Sequence, residues 1–471
     1  MTATLQLTSV ESYTHRHFDQ LRMILMDART QQLLTAPPAS LLVKMATPNA
    51  LAFLIQGFVS MAEVWFISRL GTTSLAAIAL AFPLLMLTQM MSGGAIGGAV
   101  ASAVARALGA GNVARAEQLI WHALVIVGLG ASTFLGAFLL FGEMFLGFLG
   151  GSDGALAEAM AYCLVLFTGG VFIWFMSVMS AVFRGTGDMQ FPALIMVLGA
   201  CIQVPLTGCL VMGAFGLPAL GIVGAAVSAI VSAAILSLIF LWRLIWGRQT
   251  LKLHWHARVL SRELFRDISK VAVPASLSPL LTILTVLSLT SLVGRFGEAA
   301  LAGYGIGSRV EMLLVPLVFG LGAAMTSLVG LSLGAGNLAR AERIGWLGGT
   351  MAAGVAGMVG LLLALFPSAW IGAFTSDPAT FASAKSYIQI VGPCFAFQGL
   401  GLSLYFASQG AGRMAWPILA TILRILLAVG GALLLAFYFD FGLKGIYIAA
   451  GTGMVAYGVM IGAGLKLGVW R

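Results

Sequence analysis

The stretch Met45-Ala-Thr-Pro-Asn-Ala-Leu-Ala-Phe-Leu-Ile-Gln-Gly-Phe-Val-Ser-Met-Ala-Glu-Val-Trp-Phe-Ile-Ser-Arg69 decides the fold. It predicts one membrane-spanning helix, because about 23 mostly apolar residues at ~1.5 Å each cover a hydrocarbon core of roughly 30 Å. Two long polar side chains stand out within it. Gln56 and Glu63 are seven apart and project from nearly the same helix face. A carboxylate at bilayer depth is costly and turns toward a partner or a wet cavity. Desolvation favours its neutral form, which suits it to take up and release protons. The bland alternative is a glutamate near the end of the span, snorkelling to water or packed against a neighbour.

Composition extends this reading to the whole chain. Of 471 residues, 60% are hydrophobic and 9% charged, with mean hydropathy +1.01. Soluble domains carry about 25% charged residues, so an integral membrane protein with almost no soluble domain is expected. The formal charge of +9 invites a nucleic-acid reading, but its placement argues otherwise, as shown below. Cys163, Cys201, Cys209 and Cys394 fall in apolar runs without metal-like spacing and read as small packing residues.

Residues 1–40 are polar and read as a cytoplasmic N-terminal tail, with Phe18 to Leu34 able to form a short helix on the membrane. After the first span, apolar stretches follow at about 75–105, 117–142, 156–182, 190–213 and 219–246. A basic polar linker, 247–270, then divides the chain. The second set covers about 271–294, 300–332, 343–366, 381–408, 415–438 and 443–469. The expected fold is all-α: twelve transmembrane helices in two six-helix lobes, 41–246 and 271–471.

The second half repeats the first. Leu108-Gly-Ala-Gly-Asn112 recurs as Leu333-Gly-Ala-Gly-Asn337, followed by Ala114-Arg-Ala-Glu117 and Ala339-Arg-Ala-Glu342. Arg69, Gly71 and Leu75 answer Arg295, Gly297 and Leu301; Gly185, Gly187, Met189 and Pro192 answer Gly410, Gly412, Met414 and Pro417. Each pair is 225 or 226 residues apart. An even number of spans per repeat makes both halves enter the membrane in the same direction. They are therefore parallel repeats about an axis along the membrane normal, with a cavity between them.

Orientation follows from charge. Of the 25 lysines and arginines, Arg69, Arg295, Lys385 and Lys444 fall opposite the N-terminus, Arg309 and Arg424 lie within spans, and all others share the N-terminal side. Both termini are thus expected in the cytoplasm. The linker reads as a topology signal and a surface for anionic lipid, not for nucleic acid.

Of the 16 acids, Glu63 and Glu311 lie clearly inside spans, one in each half. Arg309 and Glu311 are two apart and do not face each other on a helix. Each is expected to pair across to another helix, and Arg424 with Glu311 is one candidate. A static ion pair and a role in transport both fit these charges. In the fifth span, Gln203 and Thr207 share one face with Pro205 between them; Ser228 lies in the sixth. Hydroxyls in membrane helices often bond their own backbone, so packing polarity fits these residues as well as a site does. Gly303-Tyr-Gly-Ile-Gly307 lacks the context of a dinucleotide loop, and the LGAGN segments read as tight turns. His122, His254 and His256 have no acidic or cysteine partners at ligand spacing. No nucleophile–base arrangement is visible, so an enzyme is not expected, nor is any cofactor or metal.

Taken together, these pieces resemble the multidrug and toxic compound extrusion (MATE) family over nearly the whole chain after residue 40. The resemblance rests on Glu63-Val-Trp-Phe-Ile-Ser-Arg-Leu-Gly71, Leu75-Ala-Ala77, both LGAGN turns, Arg184-Gly-Thr-Gly-Asp188 and Gly216-Leu-Pro-Ala-Leu-Gly221 followed by Gly224-Ala-Ala226. Arg309-Val-Glu311 and Arg424 look like the DinF-like branch. The resemblance implies a V-shaped pair of lobes in a bacterial inner membrane, exporting small organic, often cationic, compounds by proton or sodium antiport; a monomer is expected. It implies that Glu63 stands where prokaryotic members of this branch carry an Asp that serves as a protonation site and that Gln56 matches a Gln one heptad earlier. Gln203 and Thr207 replace an Asn and an Asp, and Ser228 replaces a Thr. One carboxylate is lost, which suits a proton better than a multi-carboxylate sodium site. A lipid or lipid-linked oligosaccharide flippase of the same superfamily is the alternative, and would need a cationic cavity such as Arg309 and Arg424 supply.

Overall fold

The computed structural model describes residues 28–247, 251–254 and 257–471, and among them every regular element is helical. We number the spans α1 (Pro38–Ser68), α2 (Thr72–Gly109), α3 (Val113–Phe148), α4 (Asp153–Thr168 and Gly170–Gly185), α5 (Gln190–Met212), α6 (Ile222–Trp246), α7 (Arg262–Gly294), α8 (Glu298–Gly334), α9 (Leu338–Leu365), α10 (Pro378–Ala411), α11 (Ala415–Tyr438) and α12 (Gly442–Lys466). Eleven are continuous by length and hydropathy; α4 is a pair of helices bent by 55° at Gly169 and counts as the twelfth when taken as one span. In hydrocarbon every backbone polar group must be satisfied within its own segment, which only helices and closed barrels achieve. That constraint explains why so hydrophobic a chain carries so little else.

Two boundaries differ from the sequence reading. Helix α7 starts at Arg262, capped by the Ser261 hydroxyl accepting the Leu264 N–H at 3.2 Å, so the end of the expected linker is helical. Upstream of α1, Ala28–Thr35 is a helix whose Thr30 and Leu33 are buried against the protein. Arg340 donates to its Leu33 carbonyl at 2.9 Å and to Ala36 at 2.7 Å. That end of the tail is therefore docked on the bundle. Residues 18–27 fall outside the described residues.

The repeat is visible in the backbone. Asn112 and Asn337 cap α3 and α9 with φ −100° and −97°, each side chain accepting an N–H at 2.9 Å, from Arg115 and Arg340. Gly111 and Gly336 precede them at φ +71° and +78°. That left-handed conformation, which side chains with a Cβ avoid, is why both turns carry glycine there.

Within the first half α1 packs on α5, α5 on α6, and α4 on α2, α3 and α6. In the second, α10 lies against α8, α9 and α12, and α11 against α12. Across the halves α1 meets α8 and α7 meets α2, a reciprocal exchange, with α2 also against α8 and α10. The buried apolar residues form one cluster shared by both halves at the end that carries the LGAGN turns. Beyond it are two separate clusters, one from each half. The bundles are thus joined at one end and part at the other.

Candidate functional site

Each half holds one carboxylate bonded by a tyrosine. In the first, Glu63 sits five residues before the end of α1, half-buried, and the Tyr162 hydroxyl of α4 donates to its Oε1 at 2.8 Å. Tyr162 is 2% exposed, so it holds the carboxylate from inside the bundle and not from the lipid side. Phe66 packs where a Cβ on Gly208 would fall, which puts Glu63 about one turn lower, at the depth of Pro205. The Thr207 and Ser228 hydroxyls lie 2.6 Å apart and are also placed to donate to the carbonyls of Gln203 and Ala225, each at 2.8 Å. Two hydroxyl protons serve three such contacts, so the pair can switch partners.

The five residues expected to form the coupling site do not make one hydrogen-bonded network. Among the described residues, no hydrogen bond joins the Glu63 carboxylate to Gln56, Gln203, Thr207 or Ser228; its one partner is Tyr162. One turn outward on α4, the buried Oε2 of Glu158 has no partner. Sequence reading passed over both Tyr162 and Glu158.

In the second half the Tyr387 hydroxyl of α10 donates to Glu311 Oε1 on α8. Tyr387 meets the rings of Tyr304 and Tyr447 edge-on at 5.4 and 5.1 Å, and Tyr447 shares a 3.0 Å hydrogen bond with Ser383. The candidate pairing of Arg424 with Glu311 is not found, and Arg309 does not reach Glu311 either: no ion pair within 4.0 Å joins them among the described residues. Arg309 instead lies over the Phe374 ring at 5.5 Å and Arg424 over Tyr457 at 5.6 Å. A guanidinium keeps favourable electrostatics on an aromatic face without a carboxylate.

Tyr162 and Tyr387 are 225 residues apart and so are repeat equivalents. The carboxylates are not, since Glu63 lies on α1 and Glu311 on the counterpart of α2. The repeat offset was the one signal in the sequence that could have flagged the tyrosines.

Folding also supplies a histidine partner that sequence spacing did not show. His254 Nδ1 lies 2.9 Å from Glu117 Oε2, while His122 Nε2 accepts the Ser261 N–H at 2.9 Å; His256 is outside the described residues. No group of three or more His, Cys, Asp or Glu among the described residues could hold a metal.

Twelve apolar spans in two bundles that meet at one end, with a tyrosine-bonded carboxylate in each, define a multi-pass membrane transporter. The chain belongs to the MatE family, whose model matches it twice, over residues 48–208 and 274–434. An FAD transporter of Shewanella oneidensis is 27% identical over 429 residues, covering 88% of this chain and 92% of that one. A probable multidrug resistance protein NorM of Thermotoga maritima is also 27% identical, over 88% of each chain. Among solved structures, a MOP superfamily transporter from Pyrococcus furiosus, described as having a binding pocket of reversed polarity, aligns with TM-score 0.87 and 25% identity over 94% of this chain and 98% of its own. An outward-facing conformation of a MATE family multidrug resistance transporter aligns with TM-score 0.85 and 25% identity over the same shares. The protein is thus a transporter of the multidrug-efflux type and not an enzyme.

Proposed function

We propose that this protein exports small lipophilic, cationic organic compounds by proton antiport, with Glu63 as the coupling carboxylate. The observation that carries the reading is the bond from Tyr162 to Glu63, the one acid of the first bundle held by another helix near the parting end. A carboxyl group among neutral hydroxyls and amides loses its charge on taking a proton and needs no further ligand. Sodium, a hard cation, calls for several oxygen ligands, and Gln56, Gln203, Thr207 and Ser228 offer only neutral ones. Protonation and substrate then compete for the state open at the parting end, and the bundles rock about the shared core. Placing the LGAGN turns and both termini in the cytoplasm, as the basic residues indicate, makes the present shape outward-open in an inner membrane. The protein acts as a monomer in this reading.

A second reading, in which the substrate carries phosphate, is favoured by Arg309 and Arg424, which no carboxylate neutralises within 4.0 Å, and by the relative that transports FAD. Proteoliposomes test both. Efflux of a cationic dye should follow an imposed pH gradient without sodium, and Glu63→Gln should abolish that dependence in a protein that still folds. Efflux that needs a sodium gradient and ignores pH defeats the proton mechanism; flavin nucleotide moved in preference to the dye selects the second substrate class.

A further inference from the structure

The end that carries the LGAGN turns is closed by hydrogen bonds that cross between the halves, and two of them form a symmetric pair. Ser102 Oγ of α2 donates to the main-chain carbonyl of Gln409 on α10, and Ser327 Oγ of α8 donates to that of Arg184 on α4, each at 2.6 Å. Ser102 and Ser327 are 225 residues apart, as are Arg184 and Gln409, so the bonds are images of one another through the repeat. Both serines have 0% exposure. Helices α2 and α8 touch main chain to main chain here. A Cβ on Gly109 would strike the Leu331 backbone and one on Gly334 the Arg106 backbone, again an equivalent pair.

We propose that Ser102 and Ser327 are a matched pair of reversible latches that hold this end shut and release it without stranding a buried polar group. The inference rests on the alternating-access reading above and adds its inner gate. Ser327 Oγ already lies 3.1 Å from the Ala323 carbonyl of its own helix, four residues back. Serine in a membrane helix readily takes that bond, and Ser102 has Gly98 in the same position; unlike Ser327, Ser102 also reaches the Gly410 carbonyl across the seam at 3.0 Å and accepts from Arg106 of its own helix. The acceptors are covered as well. The Arg184 carbonyl also accepts the Gly187 N–H at 2.9 Å, and the Gln409 carbonyl the Gly412 N–H at 3.0 Å. Opening therefore exchanges a bond between halves for one within a helix. A latch built from buried ion pairs would leave desolvated charges behind and lock the gate. Bonds in reserve at both partners let the closed and open forms lie close in free energy, as a transport cycle requires.

Beside the latches, Arg184 and Gln409 line one small cavity with Gly94, Gly98 and Phe406. Gln409 Nε2 crosses to the carbonyls of Gly94 and Ala95 at 3.0 and 3.2 Å, inside the π-helical turn Met90–Ile96 of α2. Its Oε1 is buried without a partner. The amide thus reinforces the seam from one side, while the serines act on both.

Spin labels at Ala114 and Ala339, exposed and equivalent in the first turns of α3 and α9, report the gate by their separation in lipid nanodiscs, with the four cysteines replaced. Ser102→Ala and Ser327→Ala should each raise the open-to-closed ratio about twofold, the equivalent of ~0.4 kcal/mol, because each hydroxyl exchanges its short bond across the seam for a weaker reserve bond on opening. Together they should raise it by the product, about fourfold. Ser332→Ala, which removes a buried hydroxyl bonded to the Leu328 carbonyl of its own helix at 2.7 Å, should leave the distribution as in the parent. An alanine pair that melts like the parent and leaves the distances unchanged overturns the proposal. So does a Ser332→Ala variant that opens as much as the alanine pair. These readings concern shape alone, so failure of proton coupling at Glu63 would not imitate them.

Discussion

Glu311→Gln separates two accounts of the second bundle. Were Glu311 half of a buried ion pair with Arg309 or Arg424, removing its charge would strand a cation and cost roughly 3–5 kcal/mol. The geometry assigns its partner differently: the Tyr387 hydroxyl donates to Oε1, and both arginines rest on aromatic rings. A glutamine keeps an Oε1 in the same place to accept that hydroxyl. Only the charge assistance is lost, the difference between ~1.5–3 kcal/mol for a hydrogen bond to a charged group and ~0.5–1.5 for a neutral one. We expect a loss of about 1 kcal/mol. A change of that size moves the melting temperature of a 150–250-residue domain by roughly 2–4 °C, and a chain of 471 residues by less. The assay is thermal unfolding in nanodiscs followed by tryptophan fluorescence, for Glu311→Gln, Arg424→Met and the double variant. The two changes should couple only weakly, because Arg424 acts on Glu311 through space and no hydrogen-bonded pair is broken. A large drop for Glu311→Gln that Arg424→Met repairs would refute the reasoning and restore the ion pair.

Two further outcomes follow from the ends of the helices. Asp267 accepts from Arg106 at 2.9 Å and Arg115 at 3.2 Å, joining the start of α7 to the first half. These partly exposed pairs are screened, so Asp267→Asn should cost about 1 kcal/mol in dilute buffer and much less in 1 M salt, where the Debye length is ~3 Å; an effect insensitive to salt contradicts this. Asp377 caps α10 at the rim, and the Thr380 N–H at 2.8 Å holds its carboxyl below the usual aspartate value. A depressed carboxyl lends stability above its unfolded value and loses it as pH falls through its folded one. The melting temperatures of the parent and Asp377→Ala should therefore differ at pH 7 and converge below about pH 4; a gap that persists in acid shows that the cap is not electrostatic.

The sequence by itself determined the number of spans, the duplication and the register of the halves. Hydrocarbon leaves the backbone one economical solution, and length and apolarity report it without reference to neighbours. Glu63 and Glu311 were legible for the same reason: a charge inside a span is conspicuous wherever its helix packs. What those charges touch was decided only in three dimensions. Tyr162 and Tyr387 are 99 and 76 residues from the carboxylates they bond, and an aromatic residue in an apolar helix looks like any core residue until the helix is docked. Arg424 looked like a partner for Glu311, and Arg309 like half of a pair of its own, because opposite charges in lipid are expected to meet. Packing instead gave them rings, and a hydroxyl reached the carboxylate first. Ser102 and Ser327 drew no notice in the sequence, since one hydroxyl in a membrane helix usually serves its own backbone. Only the close approach that Gly109 and Gly334 allow between α2 and α8 carries those hydroxyls across the seam.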